Sequence, residues 1–93
     1  MTSLSKKLII SGKVQGVGYR FWLKNLCEEN CISGWVRNNK DGEVEATFYN
    51  INDEMFKIIL TKCFVGPARA EVKNIQVTTL HELKNFPSFE IIK

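Results

Sequence analysis

Residues 32–49 read ISGWVRNNKDGEVEATFY. Asp41-Gly42 suits a reversing turn, because glycine accepts the positive φ that tight hairpins demand. Beyond it, Val44, Ala46 and Phe48 alternate with Glu43, Glu45, Thr47 and Tyr49. A period of two sends these sets to opposite faces of a strand, so the pattern predicts one core face and one solvent face. Ile32 to Asn38 supplies the partner strand. A β-hairpin in mid-chain is the point from which both halves are read.

Upstream, Tyr19, Trp22, Leu23, Leu26 and Cys27 recur at i, i+3, i+4, i+7 and i+8, with Lys24, Asn25, Glu28 and Glu29 opposite. That stripe predicts an amphipathic helix ending near Asn30. Before it, KKLIISGKV (6–14) reads as a strand bounded by Gly12. Downstream, Asn52 is a candidate N-cap, and Asp53 and Glu54 suit the positive end of a helix. Phe56, Ile59, Leu60 and Cys63 repeat with helical period, and Gly66-Pro67 stops the run. AEVKNIQVTTL (70–80) is a fourth strand whose phase shifts between Val72 and Ile75, which fits either a bulge or a shifted alignment. SFEII (88–92) adds a short fifth strand at an edge. The order is β-α-β-β-α-β. It predicts an α+β, ferredoxin-like sandwich with two helices packed on one face of an antiparallel sheet. No linker interrupts residues 1–93, which are expected to form a single domain.

Bulk properties narrow the function. The 93 residues are 44% hydrophobic and 25% charged, ordinary globular composition. A net charge of +3 favours an anionic ligand but falls short of a nucleic-acid footprint. No apolar run is long enough to span a membrane. The start, MTSLSKKLIISGK, has too short an apolar stretch for a signal peptide, so a cytoplasmic setting is expected. Three cysteines, Cys27, Cys31 and Cys63, make a poor disulfide framework and point to a reducing compartment. Cys27 and Cys31 can face one way on a helix, but with His81 the lone histidine the ligands for a metal fall short.

The stretch GKVQGVGYR (12–20) places three glycines and an arginine directly before the first helix. Gly16 and Gly18 let successive N–H groups turn inward as a nest for an anion. The first turn of the helix adds unpaired donors and its dipole. A cation at a helix N-terminus is misplaced by roughly 0.3–1 kcal/mol, so an anion should sit beside Arg20, or its side chain should swing away. Arg20 can offer two parallel N–H bonds to phosphoryl oxygens. Neither common nucleotide signature is complete: Phe21 stands where a dinucleotide fingerprint needs glycine, and no Gly-Lys-Ser/Thr follows. Glycine pattern alone therefore leaves two readings open, an anion nest and a tight structural turn.

GKVQGVGYR, together with GWVRNNKDGEVE (34–45) and GPARAEV (66–72), resembles the acylphosphatase family over nearly the whole chain and in the same order. The resemblance implies a hydrolase acting on acid anhydrides, which cleaves the carboxyl–phosphate bond of acyl phosphates; of its two forms, a stand-alone enzyme and a domain of a larger hydrogenase-maturation protein, 93 residues with no cysteine-rich extension favour the stand-alone one. It implies that Arg20 is the catalytic arginine that binds phosphate and that Asn38 positions the attacking water. It also implies that Gln15, Gly16, Val17, Gly18, Tyr19 and Arg20 form the phosphate-binding loop through their backbone donors. Tyr19 stands where phenylalanine is more usual in the family. The expected partner is a small-molecule acyl phosphate, with inorganic phosphate as product inhibitor. No metal, cofactor, nucleic acid or membrane is expected, and the chain is expected to be a monomer.

Other readings stand beside these. Asn38 taken alone is an ordinary turn residue, and only its pairing with the Arg20 motif makes it catalytic. Arg37 and Lys13 read as solvated charges, Trp22 and Trp35 as packing residues, and His81 as a surface residue. The same element order also builds RNA-recognition modules. Those need aromatic residues on strand one and an RNP1-type strand three. Lys6 to Ile10 has no aromatic residue, and strand three carries Glu43 and Glu45.

Overall fold

The computed structural model describes residues 4–82, 84 and 86–93. The hairpin is formed by β2 (Ser33–Asn38) and β3 (Val44–Ile51). Asn39 N donates to Glu43 O (2.9 Å), closing a loop in which Gly42 takes φ 83°. Around it lie β1 (Leu4–Lys13), α1 (Tyr19–Glu29), α2 (Asp53–Val65), β4 (Glu71–Leu80) and β5 (Phe89–Ile91). The strand order is β4-β1-β3-β2-β5. Pairing is antiparallel from β4 through to β2, but β5 runs parallel to β2. The sheet is therefore mixed, a refinement of the expected antiparallel one. β2 and β5 run the same way because the chain between them passes through β3, α2 and β4.

Leu8, Ile10, Val36, Val44, Ala46, Phe48 and Phe89 are buried in one cluster with Tyr19, Leu23 and Cys27 of α1 and Phe56, Ile59 and Cys63 of α2. Each large apolar side chain removed from water there contributes roughly 1.5–3 kcal/mol. α1 packs against β2 and β5, and α2 against β4. α2 starts as predicted, with Asn52 Oδ1 accepting from Met55 N (2.8 Å) and acids Asp53 and Glu54 in its first turn.

Thr47 and Tyr49, expected to face solvent, are instead buried. The reason is that this face of β3 is also covered. Trp35 Nε1 donates to the Tyr49 hydroxyl (3.1 Å), the Phe86 ring lies 5.4 Å from that of Tyr49, and Thr47 sits between its cross-strand partners Lys7 and Trp35. The phase shift in β4 is a bulge: Ser11 pairs with Asn74 and Gly12 with Val72, leaving Lys73 over.

Cys27 and Cys31 do not share a helix face. The helix ends first, at the Asn30 C-cap, and Cys31 is exposed at φ 55°. Cys27 and Cys63 are buried. Burial holds the Cys27 thiol far above its ordinary range and pushes that of Cys63 up to about 12, so both stay protonated. No helix among the described residues is long and apolar enough to cross a membrane.

Candidate active site

Between β1 and α1 the chain is pinned by two buried valines, Val14 and Val17, while Gly16 and Gly18 stay exposed. This alternation turns the apolar side chains inward and leaves the glycine backbone on the surface. Gly16 and Gly18 take φ 73° and 82°, the left-handed region where glycine carries no Cβ penalty. Gly18 is also the N-cap of α1, and no side chain bonds to the amides there. No acid occupies the first turn either. The contrast with α2, capped by Asn52 and flanked by two acids, is one of chemistry: the first turn of α1 keeps its donors and its positive dipole end uncommitted. The helical ladder begins with Trp22 N donating to Gly18 O (3.0 Å).

Arg20 is the second residue of this helix and is half-buried. Two ion pairs occur among the described residues, Lys24–Glu28 and Arg37–Glu45, and Arg20 takes part in neither. A cation thus stands at the positive end of a dipole with no carboxylate to balance it, an arrangement suited to a bound anion.

Asn38 ends β2, opposite Val44. Its Oδ1 is buried and, among the described residues, has no hydrogen-bond partner in the protein. Such an orphaned acceptor costs roughly 1–3 kcal/mol unless something outside the chain donates to it. The neighbouring residue is fully committed. Asn39 Oδ1 accepts from Asp41 N (3.0 Å) and Glu43 N (2.9 Å), while Nδ2 donates to Glu43 Oε1 (3.1 Å) and Glu45 Oε2 (3.3 Å). Burial would raise the Glu45 carboxyl, but bonds from Asn39 and Arg37 and the Arg37 charge outweigh it and hold it below its ordinary range. Arg37, expected to be a solvated charge, is therefore tied to Glu45 through Nε (2.9 Å) and a terminal nitrogen (2.8 Å).

The loop and the hairpin meet at Gln15. Its Nε2 donates to Asn39 O (2.9 Å) and to Glu43 O (2.9 Å). This brings the start of the glycine loop to the residue after Asn38. The Gln15 side chain is thus spent on the hairpin, leaving its backbone N–H for any anion. Tyr19 is likewise turned inward: its ring is buried and its hydroxyl donates to Cys63 O (2.6 Å). The extra hydroxyl of this tyrosine has a partner in the core, so it does not disturb the loop. Val17 also contributes only backbone to the loop surface. Sequence reading missed the Asn39 clamp, although asparagine ahead of Lys-Asp-Gly is a known side-chain-to-backbone turn pattern. Lys13 and His81 are exposed, as expected. Among the described residues, no group of three or more His, Cys, Asp and Glu gathers as a metal site.

The family model for acylphosphatase matches residues 6–91. An acylphosphatase of Rhodopseudomonas palustris is 39% identical over 75 residues, which cover 81% of this chain and 75% of the relative. One from Pelotomaculum thermopropionicum is 35% identical over 91 residues, 98% of each chain. The crystal structure of acylphosphatase from Bacillus subtilis superposes with a TM-score of 0.91 at 28% identity, covering 97% of this chain and 99% of that one. With the family model matched over residues 6–91 and relatives at 35–39% identity, the chain belongs to the acylphosphatase family, hydrolases that act on acid anhydrides.

Proposed function

We propose that this chain hydrolyses the carboxyl–phosphate anhydride bond of acyl phosphates, giving a carboxylate and inorganic phosphate. The phosphoryl group rests on the backbone N–H groups of Gln15, Gly16, Val17, Gly18, Tyr19 and Arg20 and on the Arg20 guanidinium. Asn38 orients the attacking water. The observation that carries this reading is the buried, unpartnered Oδ1 of Asn38, one residue from the carbonyl that receives Gln15.

The chemistry asks little more. A carboxylate is a good leaving group, so no strong general acid is required. What remains is to hold the phosphoryl group in line and to stabilise charge on its equatorial oxygens. Uncommitted amides at the helix start and the unpaired Arg20 supply that charge. Asn38 Oδ1 accepts a hydrogen from water and turns the oxygen lone pair toward phosphorus; an amide is too weak a base to take the proton. As the new P–O bond forms, the P–O bond to the acyl group breaks with its electron pair. The water's proton passes to a phosphoryl oxygen of the substrate itself.

An aryl acyl phosphate should be turned over readily, and a phosphomonoester hardly at all. The site offers no acid to protonate an alkoxide. Side-by-side assays decide the matter, and comparable rates on both would overturn the mechanism. Catalysis should also persist in excess chelator, since amides and Arg20 do the work that a Lewis acid does elsewhere. Activity lost to chelator and restored by an added divalent metal would refute this. The chain acts as a monomer, phosphate inhibits it as product, and neither nucleic acid nor membrane is a partner. Three free thiols support a reducing, cytoplasmic setting.

A further inference from the structure

We propose that Gln15 is a positioning residue that keeps Asn38 in register with the anion loop; the proposal rests on the reading of Asn38 given above. A primary amide has two N–H donors, and both are used here. One meets Asn39 O and the other Glu43 O, each at 2.9 Å. These two carbonyls lie at the two ends of the hairpin loop, just beyond β2 and just before β3, and Asn39 N closes the same pair by donating to Glu43 O (2.9 Å). Gln15 therefore grips the hairpin across its mouth, one residue beyond Asn38. The geometry selects a neutral NH2 on a two-carbon stem. A carboxylate would face two carbonyl oxygens, and asparagine would stop one carbon short.

The hairpin does not depend on Gln15 for its shape. Asn39 holds the turn from within, and Ser11 Oγ donates to Glu43 Oε2 (3.0 Å) to keep β3 against β1. What Gln15 adds is a side-chain link to the loop that follows Val14. Losing it should leave the fold and the anion nest intact but let Asn38 drift relative to the phosphoryl group. In-line displacement is sensitive to such drift: a misplacement near 1 Å can cost about a hundred-fold in rate.

A double-mutant cycle tests this. Gln15→Met keeps the length and packing of the side chain and removes both donors. Turnover of an aryl acyl phosphate and inhibition by inorganic phosphate are measured for the parent, Gln15→Met, Asn38→Ala and the double variant. Thermal melts verify that each is folded at the assay temperature. We expect Gln15→Met to lower kcat about ten-fold or more, with phosphate inhibition unchanged. The double variant should be no slower than Asn38→Ala alone, because Gln15 acts through Asn38. If Gln15→Met slows the parent and Asn38→Ala by the same factor, or weakens phosphate inhibition in step with kcat, it is a structural or binding residue and the proposal fails. Full activity in Gln15→Met would also overturn it. Should the methionine variant not fold, Gln15→Ala removes the same donors with less bulk and is put through the same cycle. Undiminished turnover in Asn38→Ala would instead refute the water-orienting reading on which the proposal rests.

Discussion

Arg20→Ala is expected to lower kcat/KM by about 10³–10⁵, the range spanned when an arginine is removed from a phosphoryl-transfer site. The same change should abolish most of the protection that phosphate gives against heat. In the parent protein, phosphate at a hundred times its dissociation constant should stabilise the fold by about 2.7 kcal/mol. In a domain of this size that raises Tm by roughly ten degrees or more. The variant should show little of that rise. In phosphate-free buffer, however, it should melt no lower than the parent. Among the described residues Arg20 has no carboxylate partner, and it stands at the positive end of α1, so removing it relieves an unfavourable placement of roughly 0.3–1 kcal/mol. Melts of both proteins with and without phosphate separate the outcomes. A variant that keeps the full phosphate-induced shift would mean that Arg20 does not face the anion. One that is several degrees less stable without phosphate would mean that Arg20 chiefly supports the fold.

Asn38→Ala should act on turnover and spare binding. We expect kcat to fall by about 10²–10³, comparable to the loss of one well-placed polar group in other sites. The inhibition constant for phosphate should stay near that of the parent, since the phosphoryl group rests on the loop and on Arg20. Its Tm should not drop, because alanine deletes a buried acceptor that has no partner among the described residues. Phosphate inhibition that weakened in proportion to kcat would make Asn38 a binding residue. A Tm several degrees lower would make it a turn residue, the reading that its position in a hairpin suggests by itself. The two substitutions therefore separate holding the group from attacking it.

Local interactions made much of this protein legible from its residues alone. Strand alternation in Val44, Ala46 and Phe48, the stripe from Tyr19 to Cys27 and the Asn52 cap each depend on neighbours within a few positions. Elements built on such short-range rules appear close to where they were expected, and so does the bulge opposite Ser11 and Gly12. The turn of the glycine loop was legible for the same reason: Gly16 and Gly18 take the positive φ that glycine allows, although the glycine pattern alone left an anion nest and a tight structural turn both open. Arg20 stood out by itself as a cation set against a helix N-terminus, whereas Asn38 was singled out only through family resemblance, since an asparagine in a hairpin is ordinary in itself.

Tertiary structure decided what depends on contacts between distant segments. The parallel pairing of β5 with β2 joins Gly34 to Phe89, which nothing near either residue announces. Thr47 and Tyr49 are buried because Lys7, Trp35 and Phe86 cover them, although their own strand marks them for solvent. The commitment of Gln15 to the hairpin belongs to this class as well. Its amide could bind an anion, water or a carbonyl equally well, and only the approach of Asn39 O and Glu43 O selects among them. A sequence constrains the conformation of each segment through sterics and local bonding. The partners of a polar side chain are settled only when the core has packed and brought the segments together.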